Sequence, residues 1–199
     1  MNRIEKILLV VVCGAALLSG AACSRGGNET PKPQAYLRID MPEPAYTLCD
    51  TAVLPFTFER SNLSQLEWKK VMPREKWFTL VYPKYKGYVF LTYKAIKGEK
   101  DLREQIDTSY HIIESHFSFS SGVDENRFVD RPHRLSGTTY HLKGQNVAST
   151  YQFWVSDSTR HFLRGALYID CTPNNDSWAP VLDYIQDAID HLIESIRWR

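Results

Sequence analysis

The clearest structural signal in the sequence is KWFTLVYPKYKGYVFLTY, residues 76–93. Residues 76–82 and 87–93 are two runs rich in aromatic and β-branched side chains, and such runs are typical of β-strands. The residues between them, 83–86, begin with a proline and give a turn signal, so the sequence predicts a β-hairpin. Apolar side chains fall on both faces of these strands, and we therefore expect the sheet to be covered on both sides.

An amphipathic helix and three further strands follow the hairpin. Between residues 100 and 117 apolar side chains recur at steps of three to four, which predicts a helix: Leu102, Ile106, Tyr110, Ile113 and Phe117. Strands are predicted at about residues 134–142, 147–155 and 162–169, separated by polar turns. An antiparallel meander is the simplest arrangement of these three strands.

A second helix is predicted at the C-terminus. Residues 173–177 form a cap and turn cluster, and apolar side chains follow at helical spacing: Val181, Ile185, Ile189, Leu192 and Ile196. Acidic side chains occupy the opposite side: Asp183, Asp187, Asp190 and Glu194. Upstream of the hairpin, residues 52–58 are short and β-prone, but Pro55 restricts them to an edge strand or a strand start.

The order of these elements predicts an α+β fold, roughly β-β-β-α-β-β-β-α. We expect a mainly antiparallel sheet of about five to six strands with two long helices packed on it. The sheet with helices on its faces that is seen in PsbP- and Mog1-like domains is one candidate arrangement.

The N-terminus has the pattern of a lipoprotein signal peptide, predicted at residues 1–22. A basic start precedes the apolar run 7–18, which at about 12 residues is too short to cross a ~30 Å hydrocarbon core, and small residues follow. Cys23 stands directly after them, where a lipoprotein carries its lipid. Gly20 stands where such signals usually have Leu, so the alternative is an ordinary secreted protein cleaved near Ala22.

The predicted mature chain consists of a tether and one domain. Residues 23–35 are polar and rich in Gly and Pro, as expected of a flexible, lipid-anchored tether, and residues 36–199 read as a single globular domain. Ser24 follows the cysteine where Asp would favour the inner membrane, and no acidic run follows Cys23. These features predict a periplasm-facing protein of the cell envelope, with the outer membrane favoured over the inner membrane.

The charge balance and the cysteine content limit the functions and the cysteine chemistry that the sequence allows. Without the signal peptide, the 24 basic residues lose two and the 23 acidic residues lose one, which leaves 22 of each and a formal charge of zero. This balance gives no electrostatic case for binding nucleic acid. Cys49 and Cys171 are the only pair left for an oxidising compartment, so either they form a disulfide or they remain two buried or reduced thiols.

The sequence carries no catalytic or cofactor-binding motif. It has no Gly-x-Ser-x-Gly elbow, no His-Glu-x-x-His, no glycine-rich phosphate loop and no Cys-x-x-Cys. His111 and His116 would be separated by about 140° around a helix, so they cannot readily bind one metal alone. His133 and His141 suggest no ligand geometry. We therefore expect no enzyme activity, no metal and no cofactor.

One polar cluster combines a serine, a histidine and acids: Asp157, Ser158, His161, Arg164 and Asp170. Ser158 and His161 lie three residues apart in a turn, which makes a poor nucleophile and base pair. We expect Asp157 and Ser158 to shape the turn through hydrogen bonds to the backbone. A buried or half-buried Arg164 would need an acid partner such as Asp170.

Several phrases together resemble the gliding motility lipoprotein GldD family, from about residue 34 to residue 198. The block Asp157-Ser158 followed by His161-Phe162-Leu163-Arg164-Gly165-Ala166-Leu167-Tyr168 is the most specific of them. The others are Tyr36-Leu37-Arg38-Ile39-Asp40-Met41-Pro42, Trp77-Phe78-Thr79-Leu80-Val81-Tyr82-Pro83-Lys84-Tyr85, Val147-Ala148-Ser149-Thr150-Tyr151-Gln152-Phe153 and Pro173-Asn174-Asn175-Asp176-Ser177.

The resemblance implies a non-enzymatic envelope lipoprotein, a component or scaffold of the gliding machinery and of the linked type IX secretion system. Its partners would be the membrane, through the lipid, and other gliding or secretion proteins. Only Cys23 carries over with a defined role, as the lipid attachment point. The polar cluster would then be structural or partner-binding. The alternative is a periplasmic ligand-binding or hydrolytic lipoprotein that uses Asp157, Ser158 and His161.

Overall fold

A computed structural model describes residues 39–170 and 174–199, which form ten strands and two long helices. The strands are β1 (Tyr46–Cys49), β2 (Phe56–Ser61), β3 (Gln65–Val71), β4 (Glu75–Tyr82), β5 (Gly87–Ala95), β6 (Gly122–Asp130), β7 (Leu135–Lys143), β8 (Tyr151–Ser156), β9 (His161–Ile169) and β10 (Arg197–Trp198). The helices are α1 (Gly98–Glu114) and α2 (Asn175–Glu194). The predicted α+β class is confirmed, with more strands than the predicted five to six.

Seven strands form one antiparallel sheet in the order β3-β4-β5-β9-β8-β7-β6. The predicted hairpin is β4 and β5, paired in a register that sets Leu80 opposite Val89. A single 3-10 turn, Pro83–Tyr85, joins the two strands. The predicted meander after α1 is also present, as β7, β8 and β9.

A smaller sheet is formed by β1, β2 and β10, with β2 in the middle. The run predicted at residues 52–58 is therefore a central strand that begins later, at Phe56. Its first residue directly follows Pro55. The carbonyl oxygen of Pro55 accepts a hydrogen bond from the Arg199 N–H at 2.9 Å. The proline thus marks a strand start rather than an edge.

Helix α2 packs on one face of the large sheet and completes the main core. The apolar stripe predicted from its spacing is buried there, and residues of β2, β5, β8 and β9 complete the cluster. Helix α1 lies on the opposite face, against β8 and β9. There Ile113 packs with residues of β7 and its following loop in a second, smaller cluster.

The second face of the β4–β5 hairpin is not fully covered, contrary to expectation. Trp77 is 43% exposed and Phe90 is 45% exposed. Tyr88 stacks on Phe90 with ring centroids 6.1 Å apart, and Tyr168 meets Phe90 edge to face at 5.5 Å. An aromatic side chain reads as apolar in the sequence whichever face it occupies, so the pattern did not distinguish the core from this open surface.

The strands that the sequence pattern missed are the polar or short ones. β3 and β6 form the two edges of the large sheet, and most of their residues are exposed. Edge strands commonly carry charges that discourage pairing with another chain, and those charges hide the strand from a hydrophobic pattern. β1 and β10 have only four and two residues.

No helix within the described residues is long and apolar enough to span a membrane. The predicted boundaries of the signal peptide and the tether lie outside the described residues, so they stay predictions.

Candidate functional site

A groove with a volume of about 630 Å³ lies between α2 and strands β6 and β7. Phe128 of β6 and Leu135 of β7 contribute apolar surface, and Asp190, Ile193 and Glu194 of α2 form the opposite wall. Small-molecule sites are commonly concavities of this size, about 300–1,000 Å³, in which a few polar groups face apolar ones.

Local structure explains how these side chains converge. On α2, residues three and four apart lie on one side of the helix, so Asp190, Ile193 and Glu194 share a wall. On the sheet, side chains alternate between faces, and Phe128 pairs with Gly137 at a position whose side chain points toward α2. A side chain on Gly137 would collide with the Phe128 ring, since an added Cβ would lie 2.9 Å from its Cζ.

One polar contact in the groove joins Tyr151 to Asp190. The phenol hydroxyl of Tyr151, which is 4% exposed, donates a hydrogen bond to the half-buried Asp190 carboxylate. Burial raises the pKa of Asp190, and the charges of Asp187 and Glu194 raise it further, while the Tyr151 bond opposes the rise. Burial and the bond to Asp190 likewise raise the pKa of the Tyr151 hydroxyl.

A second acid in the groove is already paired. The Asp130 carboxylate lies 2.6 Å from Nδ1 of His133, which belongs to the turn between β6 and β7. This hydrogen bond lowers the pKa of Asp130. Asp190 differs, because no ion pair of the described residues includes it.

The polar cluster that the sequence singled out is divided among three places. Asp157 holds the β8–β9 turn: its Oδ1 accepts the backbone N–H groups of Thr159, Arg160 and His161 at 3.0, 2.7 and 2.8 Å. Ser158 adopts a left-handed backbone with φ of 66°. Burial raises the pKa of Asp157, but the three backbone bonds outweigh it and lower the pKa below its usual value.

Ser158 and His161 do not form a nucleophile and base pair in the described contacts. The Ser158 hydroxyl lies 3.1 Å from the hydroxyl of Ser136, and Nδ1 of His161 lies 2.9 Å from the Tyr93 hydroxyl. His161 is only 6% exposed, and burial lowers its pKa. A general base needs contact with the group that it deprotonates, so this geometry gives hydrolysis no support.

Arg164 lies apart from the turn and takes a different partner from the acid that the sequence suggested. Its Nη2 donates to Oε1 of Gln152 at 2.7 Å, and no carboxylate among the described residues forms an ion pair with it. Asp170 is exposed at the far end of β9, where its N–H bonds to the Lys86 carbonyl at 2.8 Å. Burial without an acid partner lowers the pKa of Arg164.

The remaining predicted residues give no further site. Cys23 and Cys171 lie outside the described residues, so the lipid attachment and the disulfide with the buried Cys49 stay predictions. His111 lies near Glu114 at 3.4 Å, whereas His116 faces Tyr168. In the part of the chain that the structure describes, no group of three or more His, Cys, Asp or Glu side chains could hold a metal ion.

Sequence reasoning missed the groove because it missed β6. The acidic side of α2 was visible as Asp183, Asp187, Asp190 and Glu194, but an acidic helix side usually faces solvent. Only the position of β6 and β7 beside the helix turns the end of that acidic side into the wall of a groove.

Comparisons with known proteins identify the family. The family model described as gliding motility lipoprotein GldD matches residues 26–198, which is most of the chain. Searches of curated proteins and of solved structures gave no match. The match includes all the described elements and begins just after the predicted lipid attachment cysteine. The chain therefore belongs to the gliding motility lipoprotein GldD family.

Proposed function

We propose that this protein is a non-enzymatic, lipid-anchored component of the envelope machinery for gliding motility, and that it acts as a scaffold by binding other proteins. The family match over residues 26–198 is the observation that carries the proposal. The proposal extends to the linked type IX secretion system, which the sequence resemblance implies.

The chemistry of the described surface supports binding rather than catalysis. The serine and histidine of the polar cluster take different partners, and the cluster's acid holds a turn. The groove beside α2 and the open aromatic surface around Phe90 are features of the kind that partner proteins cover.

Lipid on Cys23 would place the domain at a membrane surface. Two or three acyl chains on one cysteine give stable anchoring, whereas a single chain gives only marginal binding. We propose an outer membrane location facing the periplasm, on the basis of Ser24 and the absence of an acidic run after Cys23.

Gene deletion with complementation tests this function. We expect the deletion to impair spreading on a surface and the release of secreted proteins, and the intact gene to restore both. The Cys23→Ala variant should restore neither, because it lacks its anchor. Crosslinking of the tagged protein in its own membranes, read by mass spectrometry, should recover motility or secretion subunits and an acylated Cys23. Normal spreading and normal secretion in the deletion strain would refute the proposal.

A periplasmic ligand-binding lipoprotein is the second candidate, and the 630 Å³ groove is the observation that favours it. This candidate predicts that the protein acts without subunits of the machinery. An acylated protein that recovers no such subunit after crosslinking, in a strain that still spreads and secretes, would favour it.

A further inference from the structure

The groove beside α2 combines apolar side chains with two carboxylates that form no ion pair within the described residues. Phe128, Leu135 and Ile193 supply apolar surface, and Asp190 and Glu194 stand beside them. Among the ion pairs of the described residues, none includes Asp190 or Glu194. The third acid, Asp130, is the one that already has a partner, His133.

Both carboxylates lie near the C-terminal end of α2, where the helix dipole favours a positive charge. Asp190 and Glu194 lie in the last turns of this helix. Arg197 donates to the backbone carbonyls of Glu194 and Ile196 at 2.8 and 2.7 Å, so it caps the helix end without pairing with either carboxylate. A cation placed in the groove would therefore gain from both the carboxylates and the helix dipole.

A second, separate concavity lies beside the same helix. This cavity of about 310 Å³ lies between α2 and β7, and Asp176 and Asp183 contribute to it. Asp183 beside this concavity and Asp190 beside the groove lie seven residues apart on the helix, about 10 Å along its axis. An extended peptide of about four residues spans that distance, whereas a small amine does not.

We propose that the groove between α2 and strands β6 and β7 binds a lysine- or arginine-bearing peptide segment of a partner protein. One basic head group pairs with Asp190 and Glu194 while its apolar stem packs on Phe128 and Ile193. This inference rests on the proposed function, in which the chain acts by binding other proteins, and it defines the chemistry of one partner.

The chemistry of a basic side chain matches both parts of the groove. Lys and Arg place methylene stems on apolar surface while the charged head reaches a polar partner. Burial penalises the ionised Asp190 carboxylate, which raises its pKa, and a bound cation would favour the ionised form. The Tyr151 hydroxyl keeps the carboxylate oriented toward the groove.

Fluorescence anisotropy with a defined probe tests the proposal. The probe is a fluorescein-labelled decapeptide of alternating lysine and serine, and a glutamate and serine decapeptide is its charge control. Both are titrated against the full chain in non-ionic detergent. The variants are Asp190→Asn, which keeps an acceptor for Tyr151, and Asn126→Lys, which adds a cation at an exposed position of the lining. Glu99→Gln on α1 is the matched control, because it also removes one negative charge.

We expect saturable binding of the lysine peptide and none of the glutamate peptide. Asp190→Asn and Asn126→Lys should each weaken binding by about tenfold or more, and Glu99→Gln by less than about twofold. Three results would overturn the proposal: no saturable binding, an equal effect of Glu99→Gln, or competition by lysine amide as strong as by the unlabelled peptide. The last result would indicate a small-amine site.

The outcome is separable from that of the proposed function. A deletion strain with normal spreading and secretion would refute the proposed function even if the peptide binds. An impaired deletion strain whose protein fails to bind the peptide would refute only the groove inference. Asn126 is exposed, so its substitution leaves the core intact and keeps the test valid even if Asp190→Asn destabilises the fold.

Discussion

The imidazole of His161 stacks on the indole of Trp198, with ring centroids 5.1 Å apart and planes 5° apart. His161 opens β9 of the large sheet, and Trp198 belongs to β10 of the small sheet. The stack therefore joins the two sheets at the C-terminal end of the chain. Trp198 also meets Phe56 edge to face at 5.2 Å, so its indole connects three elements.

Removing this indole should destabilise the domain. We expect Trp198→Ala to lower the free energy of unfolding by about 2–4 kcal/mol, because it removes two ring contacts and leaves a cavity. Trp77→Ala is the control, since Trp77 is 43% exposed and should cost about 1 kcal/mol or less. Urea unfolding followed by circular dichroism measures both. Equal effects would show that the stack does not hold the sheets together.

The buried His161 should also make stability depend on pH. Its folded pKa is lowered by burial, so the unfolded chain binds a proton more readily. Its contribution is therefore fully present above the unfolded pKa of about 6.5, and it is lost as the pH falls through the folded value.

His161→Gln removes that titration while keeping a polar partner for Tyr93. The stability difference between wild type and variant should shrink as the pH falls below about 6.5. Unfolding curves between pH 7.5 and 5, run with His111→Gln as an exposed control, follow this difference. A difference that stays constant with pH would contradict the assignment.

Gly165 in β9 packs closely against the ring of Phe153. A Cβ at this position would lie 2.1 Å from Cε1 of Phe153 and 3.0 Å from Cδ2 of Leu91, both in the main core. We expect Gly165→Ala to cost at least about 1–3 kcal/mol, since the core must shift to admit one methyl group. Gly122→Ala in β6 meets nothing within 4 Å and should stay within about 0.5 kcal/mol of wild type. Similar midpoints in urea for the two variants would contradict the close packing.

The elements that the sequence predicted are those with strong periodicity. The helical spacing of apolar side chains predicted α2, and the aromatic and β-branched runs predicted β4 and β5. By contrast, β3 and β6 carry charges and are mostly exposed, so their pairing depends on neighbours that are distant in sequence. The groove depends on β6, which explains why no local pattern could have found it.

Individual contacts were harder to predict than elements. An acid partner was expected for a buried Arg164, but the β8–β9 register sets Trp154 opposite Arg164 and Gln152 opposite Ala166. Gln152 is thereby a diagonal neighbour of Arg164 and within reach of its guanidinium. The sequence predicts Asp190 on the side of the helix opposite the apolar stripe, yet Tyr151 of β8 donates to it. Strand register decided the first case, and the packing of α2 on the sheet decided the second; the sequence encodes neither locally.

Asp157 provides a test of the β8–β9 turn itself. Its carboxylate accepts three backbone N–H groups, so Asp157→Ala should cost about 1–2 kcal/mol at neutral pH, as loss of a helix cap does. The folded pKa is lowered, so this contribution is present above the unfolded pKa of about 3.9 and is lost as the pH falls through the folded value. Wild type and variant should therefore converge in stability below about pH 4.

Thermal unfolding from pH 7 to pH 3 measures the convergence, with Asp183→Ala on the exposed side of α2 as the control. If the two proteins differ equally at both ends of that range, the carboxylate charge does not hold the turn, and the neutral hydrogen bonds alone must form it.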